Sequence, residues 1–118
     1  MPSRHVREKK LQDIFSIGRA RYLILDFTEG LTFEEFEKDL KTISAVLHQL
    51  MIMGEAVKRL EVKFKSNYPH IPWKEMAGMR DVLIHQYEDS DLAIIWAVVK
   101  KNLPTLVKDI KKLKDQLA

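Results

Sequence analysis

Apolar positions recur at three-and-four spacing along nearly the whole chain, and no stretch sustains period-two alternation with β-branched enrichment; an all-α protein is predicted. A first helix is expected from about Val6 to Asp26, with Leu11, Ile14, Phe15, Tyr22 and Leu25 on its apolar side, and Gly30 ends that region. Thr32 followed by Glu35 has the spacing of a capping box. From there apolar residues recur at Phe33, Phe36, Leu40, Ile43, Leu47, Leu50, Val57, Leu60 and Phe64, which predicts a long helix with a break near Lys41. The run Ser66 to Pro72 is turn chemistry, and Pro72 suits the first turn of a helix covering about Trp73 to Tyr87. Asp89, Ser90 and Asp91 are cap candidates for the apolar stretch Leu92 to Val99. Pro104 opens or kinks a last helix striped by Leu106, Val107, Ile110, Leu113 and Leu117. Four to five helices with short connections fit an up-and-down bundle in a single helical domain over residues 1–118.

Composition narrows the chemistry. At 118 residues the chain has room for one core, which excludes two-lobed enzymes, and 46% hydrophobic with 31% charged residues is an ordinary globular balance. The absence of cysteine removes disulfides, thiolate nucleophiles, Cys-ligated zinc and iron–sulfur clusters. No apolar stretch follows the N-terminus, and the longest apolar run, Leu92 to Val99, is far below the roughly 20 residues that span a bilayer. A soluble, cytoplasmic protein with no membrane partner is expected. The net charge is only +3, yet its signs are segregated. Arg4, Arg7, Lys9, Lys10, Arg19 and Arg21 mark the first stretch and Lys100, Lys101, Lys108, Lys111, Lys112 and Lys114 the last, around an acidic block from Asp26 to Asp39. Two basic ends could steer a polyanion, and they are equally the solvated lysine faces of amphipathic helices.

The chemically informative segment is Arg80-Asp81-Val82-Leu83-Ile84-His85-Gln86-Tyr87. On a helix Arg80 and Tyr87 fall about 20° from eclipsed and share a face. His85 follows Asp81 by four residues, so the carboxylate can reach the imidazole, orient it and favour its protonated form. Arg80 and His85, however, stand about 140° apart, so they converge only if the arginine curls, the helix kinks near Gly78 or a second chain contributes. Taken alone, these residues are also compatible with a surface salt bridge and a packed aromatic. His5, His70 and His48 carry less: a terminus, a loop and a position beside a core face. No HExxH or EF-hand pattern supports a metal site, and the dispersed glycines form no phosphate loop. Trp73, Trp96, Met51 and Met76 read as packing. Gly54 inside a helix costs about 1 kcal/mol relative to alanine, for which a close helix–helix approach is a reason.

The Arg-x4-His-x-Tyr segment resembles the signature of HEPN-domain proteins, specifically the DUF86-type toxins paired with minimal nucleotidyltransferase antitoxins. The resemblance extends to Ile52-Met53-Gly54-Glu55-Ala56-Val57-Lys58-Arg59-Leu60, to Tyr68-Pro69-His70-Ile71-Pro72-Trp73, and to Asp91, Trp96 and Leu103-Pro104 in order. One departure is His48, where the family often has arginine. The resemblance implies a helical homodimer in which two motif copies line one cleft, and an endoribonuclease that uses neither metal nor other cofactor. It implies that His85 is the general acid or base at the ribose 2′-hydroxyl and leaving oxygen, and that Arg80 binds the scissile phosphate. Asp81 matches the polar residue that follows the family's arginine and would orient the site. Tyr87 matches the tyrosine to which the partner nucleotidyltransferase adds AMP, silencing the toxin. A rival expectation is a non-catalytic subunit that presents substrate within a two-subunit nucleotidyltransferase, and a second is a purely structural dimerisation bundle.

Overall fold

The computed structural model describes residues 4–85, 92–104, 111–113 and 115, and the side chains at 4–7, 79 and 81–85 lie outside that description. Six α-helices are present among the described residues: α1 (Arg4–Thr28), α2 (Phe33–Lys38), α3 (Leu40–Arg59), α4 (Val62–Ser66), α5 (Trp73–His85) and α6 (Leu92–Ala97). A π-helical segment, Val98–Asn102, continues from α6, and residues 111–113 are again helical. No strand occurs among the described residues, so the protein is all-α. No helix among them is long and apolar enough to cross a membrane.

Local chemistry accounts for the boundaries. After α1, Gly30 adopts φ 77°, a left-handed turn conformation open to glycine at no steric cost. Thr32 and Glu35 form the expected box in both directions: the Glu35 N–H donates to Thr32 Oγ1 at 3.1 Å, and the Thr32 N–H donates to Glu35 Oε1 at 3.0 Å. The long helix anticipated after Thr32, with one break, is divided into three by two breaks. Its first interruption falls at Asp39, two residues before the anticipated Lys41, because the Asp39 carboxylate accepts from the Thr42 N–H at 3.1 Å and the Thr42 hydroxyl at 2.7 Å and so starts a new helix. The second falls at Leu60, where the backbone turns extended (φ −74°, ψ 140°). The Val57 carbonyl accepts both the Leu60 N–H and Lys65 Nζ there, each at 3.2 Å, which closes the end of α3.

Helix α3 is the centre of the molecule, packed against α1 on one side and α5 on the other. Arg59, the last residue of α3, meets Asp13 near the start of α1 with Nε to Oδ1 at 2.8 Å, so α1 and α3 run antiparallel. The core is built from Ile14, Ile17, Ala20 and Ile24 of α1 and Val46, Leu47, Leu50, Met53, Ala56 and Val57 of α3. Leu60 and Phe64 stay buried across the break between α3 and α4, which preserves the apolar spacing while the backbone changes direction. Three residues assigned to apolar stripes by spacing lie outside: Phe15, Tyr22 and Leu40 are 53%, 61% and 77% exposed. The buried stripe of α1 runs instead through Ile14, Ile17 and Ile24, which turns Phe15 and Tyr22 away from α3.

Candidate functional site

The start of α5 is firmly anchored. Pro72 precedes its first residue and its carbonyl accepts the Met76 N–H at 3.0 Å, the first bond of the helix. The buried Trp73 indole N–H donates to the carbonyls of Lys65 and Tyr68, each at 3.1 Å, tying α5 to the end of α4 and the turn behind it. Phe64 and Tyr68 pack ring to ring beneath this junction at 5.4 Å between centroids.

From that anchor α5 runs across α3 at Gly54. A β-carbon at this position would stand 2.5 Å from Arg80 Cβ and 3.1 Å from the Met76 carbonyl oxygen. The glycine is therefore the point of closest approach, which is the close helix–helix contact its cost predicts. Directly beside it, Arg80 Nε lies 3.8 Å from Glu55 Oε1, with the arginine side chain 31% and the glutamate side chain 45% exposed. The Nε atom itself is shielded from solvent. Arg80 is thus rooted against one helix while part of its side chain reaches the surface.

Asp81 and His85 belong to the same helix, one turn apart, at its C-terminal end. Tyr87 lies outside the described residues. The structure thus places Arg80, Asp81 and His85 on one continuous element and describes side-chain contacts for Arg80 alone. Glu55 is the residue that spacing does not single out as a site residue. Its contact with Arg80 joins two helices, and no period within either one signals it.

A second polar feature lies at the C-terminal end of α3, about one turn beyond Glu55. Lys9, Lys10, Asp13, Arg59 and Glu61 line a groove of about 290 Å³. Lys10 Nζ stands 5.6 Å from the Phe64 ring centroid, and buried Asp13 holds Arg59. On α1, partial burial holds the Arg21 guanidinium below its ordinary value by desolvation, and its Nε has no hydrogen-bond partner among the described residues. Among those residues no three histidine, aspartate or glutamate side chains cluster as a metal site.

An all-α bundle in which one helix carries an Arg-x4-His spacing, set against a Gly-Glu pair on the central helix, defines the class of protein. The chain belongs to the HepT-like ribonuclease family, whose sequence profile matches residues 17–113. It is 47% identical over 90 residues to a Methanocaldococcus jannaschii protein provisionally named an RNase, covering 76% of this chain and 74% of that one. It is 45% identical over 98 residues to a Thermococcus cleftensis protein provisionally named ribonuclease HepT, covering 83% and 89%. A further M. jannaschii protein, also provisionally named an RNase, is 39% identical over 115 residues, covering 96% and 94%. No solved structure matches the chain significantly. The family agrees with the resemblance carried by the spaced motifs.

Proposed function

We propose that this chain is a metal-independent endoribonuclease toxin that acts as a homodimer on RNA and is neutralised by a nucleotidyltransferase antitoxin. The observation that carries the reading is the Arg80-x4-His85 spacing at the C-terminal end of α5, with Arg80 seated on α3, in a chain of the HepT-like family. Arg80 receives the scissile phosphate, and its planar guanidinium offsets the charge that develops on the non-bridging oxygens. His85, whose unperturbed pKa of about 6.5 suits proton transfer near neutrality, takes the proton of the ribose 2′-hydroxyl. The freed 2′-oxygen bonds to phosphorus, the bond from phosphorus to the 5′-oxygen breaks, and that oxygen leaves with the proton returned by the His85 imidazolium. Asp81, one helical turn before His85, favours and orients the imidazolium. Because Arg80 and His85 diverge by about 140° on one helix, two copies of α5 facing each other across a dimer give each phosphate an arginine and a histidine from different chains.

Tyr87 is the site of silencing in this reading. Adenylate attached to its phenol brings a phosphate close to Arg80 and competes with the RNA backbone for it. The test is cleavage of a defined single-stranded RNA by purified protein in the presence of a chelator. The expected products end in a 2′,3′-cyclic phosphate, and His85→Ala and Arg80→Ala each lower the rate roughly a hundredfold or more with the circular dichroism spectrum retained. Cleavage at the wild-type rate by a folded His85→Ala variant would exclude this mechanism. Incubation with the partner nucleotidyltransferase, ATP and magnesium should add adenylate mass to Tyr87, and Tyr87→Phe should keep cleaving while escaping the modification. Peptide mapping that finds the adenylate on Tyr22 or Tyr68 excludes the proposed role of Tyr87.

A further inference from the structure

Arg80 meets the central helix through two consecutive residues of α3. Gly54 leaves the space in which Arg80 Cβ lies, since a β-carbon there would stand 2.5 Å from it. Glu55 then faces the side chain further out, its Oε1 3.8 Å from Arg80 Nε. The base of the arginine is thereby fixed by shape and its guanidinium by charge. Nε is the atom through which the planar group joins its flexible stem, and a carboxylate 3.8 Å away, beyond hydrogen-bond distance, acts on it as a charge that draws that edge of the group toward α3. A partly exposed ion pair contributes little to folding, so the consequence of this one lies in the direction it imposes.

We propose that Glu55 is a positioning residue for the ribonuclease reaction: it sets the direction in which the Arg80 guanidinium leaves α5, and hence the angle at which it receives the scissile phosphate. The inference rests on the ribonuclease reading of Arg80 given above. A carboxylate near a phosphate site also repels the incoming phosphate, and the two effects act in opposite senses. Orientation governs the rate of the bound complex, whereas repulsion governs how tightly RNA binds.

The isosteric Glu55→Gln variant separates them, measured beside wild-type protein and Arg80→Ala on a short defined RNA under single-turnover conditions. The expected result is a fivefold to tenfold lower maximal cleavage rate, an unchanged protein concentration for half-maximal rate and an unchanged thermal midpoint. The Arg80 Nε–Hε resonance in a ¹H–¹⁵N spectrum, which reports the environment of that nitrogen independently of catalysis, should shift on the same substitution. A maximal rate equal to or above wild type, a loss confined to the half-maximal concentration, or a resonance that does not move would each overturn the proposal. Should Arg80→Ala cleave as fast as wild type, the ribonuclease reading of Arg80 fails instead. The Nε–Hε resonance then decides alone whether Glu55 orients the guanidinium.

Discussion

Gly54 shows how one missing methyl group shapes both packing and chemistry. Adding it, as in Gly54→Ala, places Cβ 2.5 Å from Arg80 Cβ and 3.1 Å from the Met76 carbonyl oxygen, distances that require α5 to move. Overpacking of this kind costs about 1–3 kcal/mol, and the helix-propensity gain of alanine returns less than about 1 kcal/mol of it. Urea unfolding of Gly54→Ala should therefore show a lower midpoint with an unchanged slope, and RNA cleavage should fall because Arg80 moves with α5. Asp39 illustrates a charge with a different task. Hydrogen bonds from the Thr42 hydroxyl and the Thr42 N–H hold its carboxyl below the usual carboxylate range. A carboxylate whose folded value is depressed contributes stability above its unfolded value and loses it as pH falls through the folded value. The acid limb of the stability curve, below about pH 4, should accordingly flatten in Asp39→Asn, measured by thermal unfolding across that range.

At the scale of elements, the junction between α4 and α5 depends on a single indole. Trp73 Nε1 bridges the Lys65 and Tyr68 carbonyls, both near the end of α4, while its ring is buried against the core. Trp73→Phe keeps an aromatic ring and removes a shared donor from two carbonyls that still accept the Tyr68 and Ile71 N–H groups, an expected loss of about 0.5–1.5 kcal/mol by chemical unfolding. The change should also raise backbone amide exchange in α4 and the first turn of α5 ahead of the rest of the bundle. A comparable coupling runs through Lys100, whose ammonium lies 4.6 Å from the Trp96 centroid and 3.4 Å from the Thr28 carbonyl oxygen. It ties the π-helical segment to the end of α1 through a cation resting on an aromatic face.

For the whole molecule, the fold leaves large apolar side chains outside the core on α1. Phe15 and Tyr22 are seven residues apart and so share a face about 20° from eclipsed, turned away from α3. A composite site with two copies of α5 facing each other needs its contact on the α5 side of the molecule, across α3 from this face, and a stable dimer needs at least about 1,000 Å² of buried surface in total. Sedimentation of wild-type protein at micromolar concentration should give a dimer, and Phe15→Asp with Tyr22→Asp, placed across α3 from α5, should leave both the dimer and RNA cleavage intact. A monomeric wild-type protein with full activity would rule out a composite site. The antiparallel course of α1 and α3 also gathers Lys9, Lys10 and Arg59 at one end of the molecule. RNA affinity should fall linearly in logarithmic terms as salt rises, with a slope set by the number of phosphates these cations neutralise.

Much of the architecture is local and therefore readable from residue order. Helix periodicity, the Thr32–Glu35 box, the turn at Gly30 and the start of α5 after Pro72 each depend on residues within one or two turns of one another, and each appears in the structure. The spacing of Arg80 and His85 is local too, which is why the candidate site could be named before any helix was placed; Tyr87 lies outside the described residues. The interruption at Asp39 was legible to within two residues, but the one at Leu60 was not, because Val57, Leu60 and Phe64 keep their apolar spacing whether the chain bends or continues. Nor could spacing choose between Ile17 and Phe15 for the buried side of α1, since that depends on how far the helix is rotated against α3. The meeting of Glu55 with Arg80 belongs wholly to the tertiary structure. Two helices far apart in the chain cross where a glycine lets their backbones approach, and only that crossing brings the carboxylate to the guanidinium.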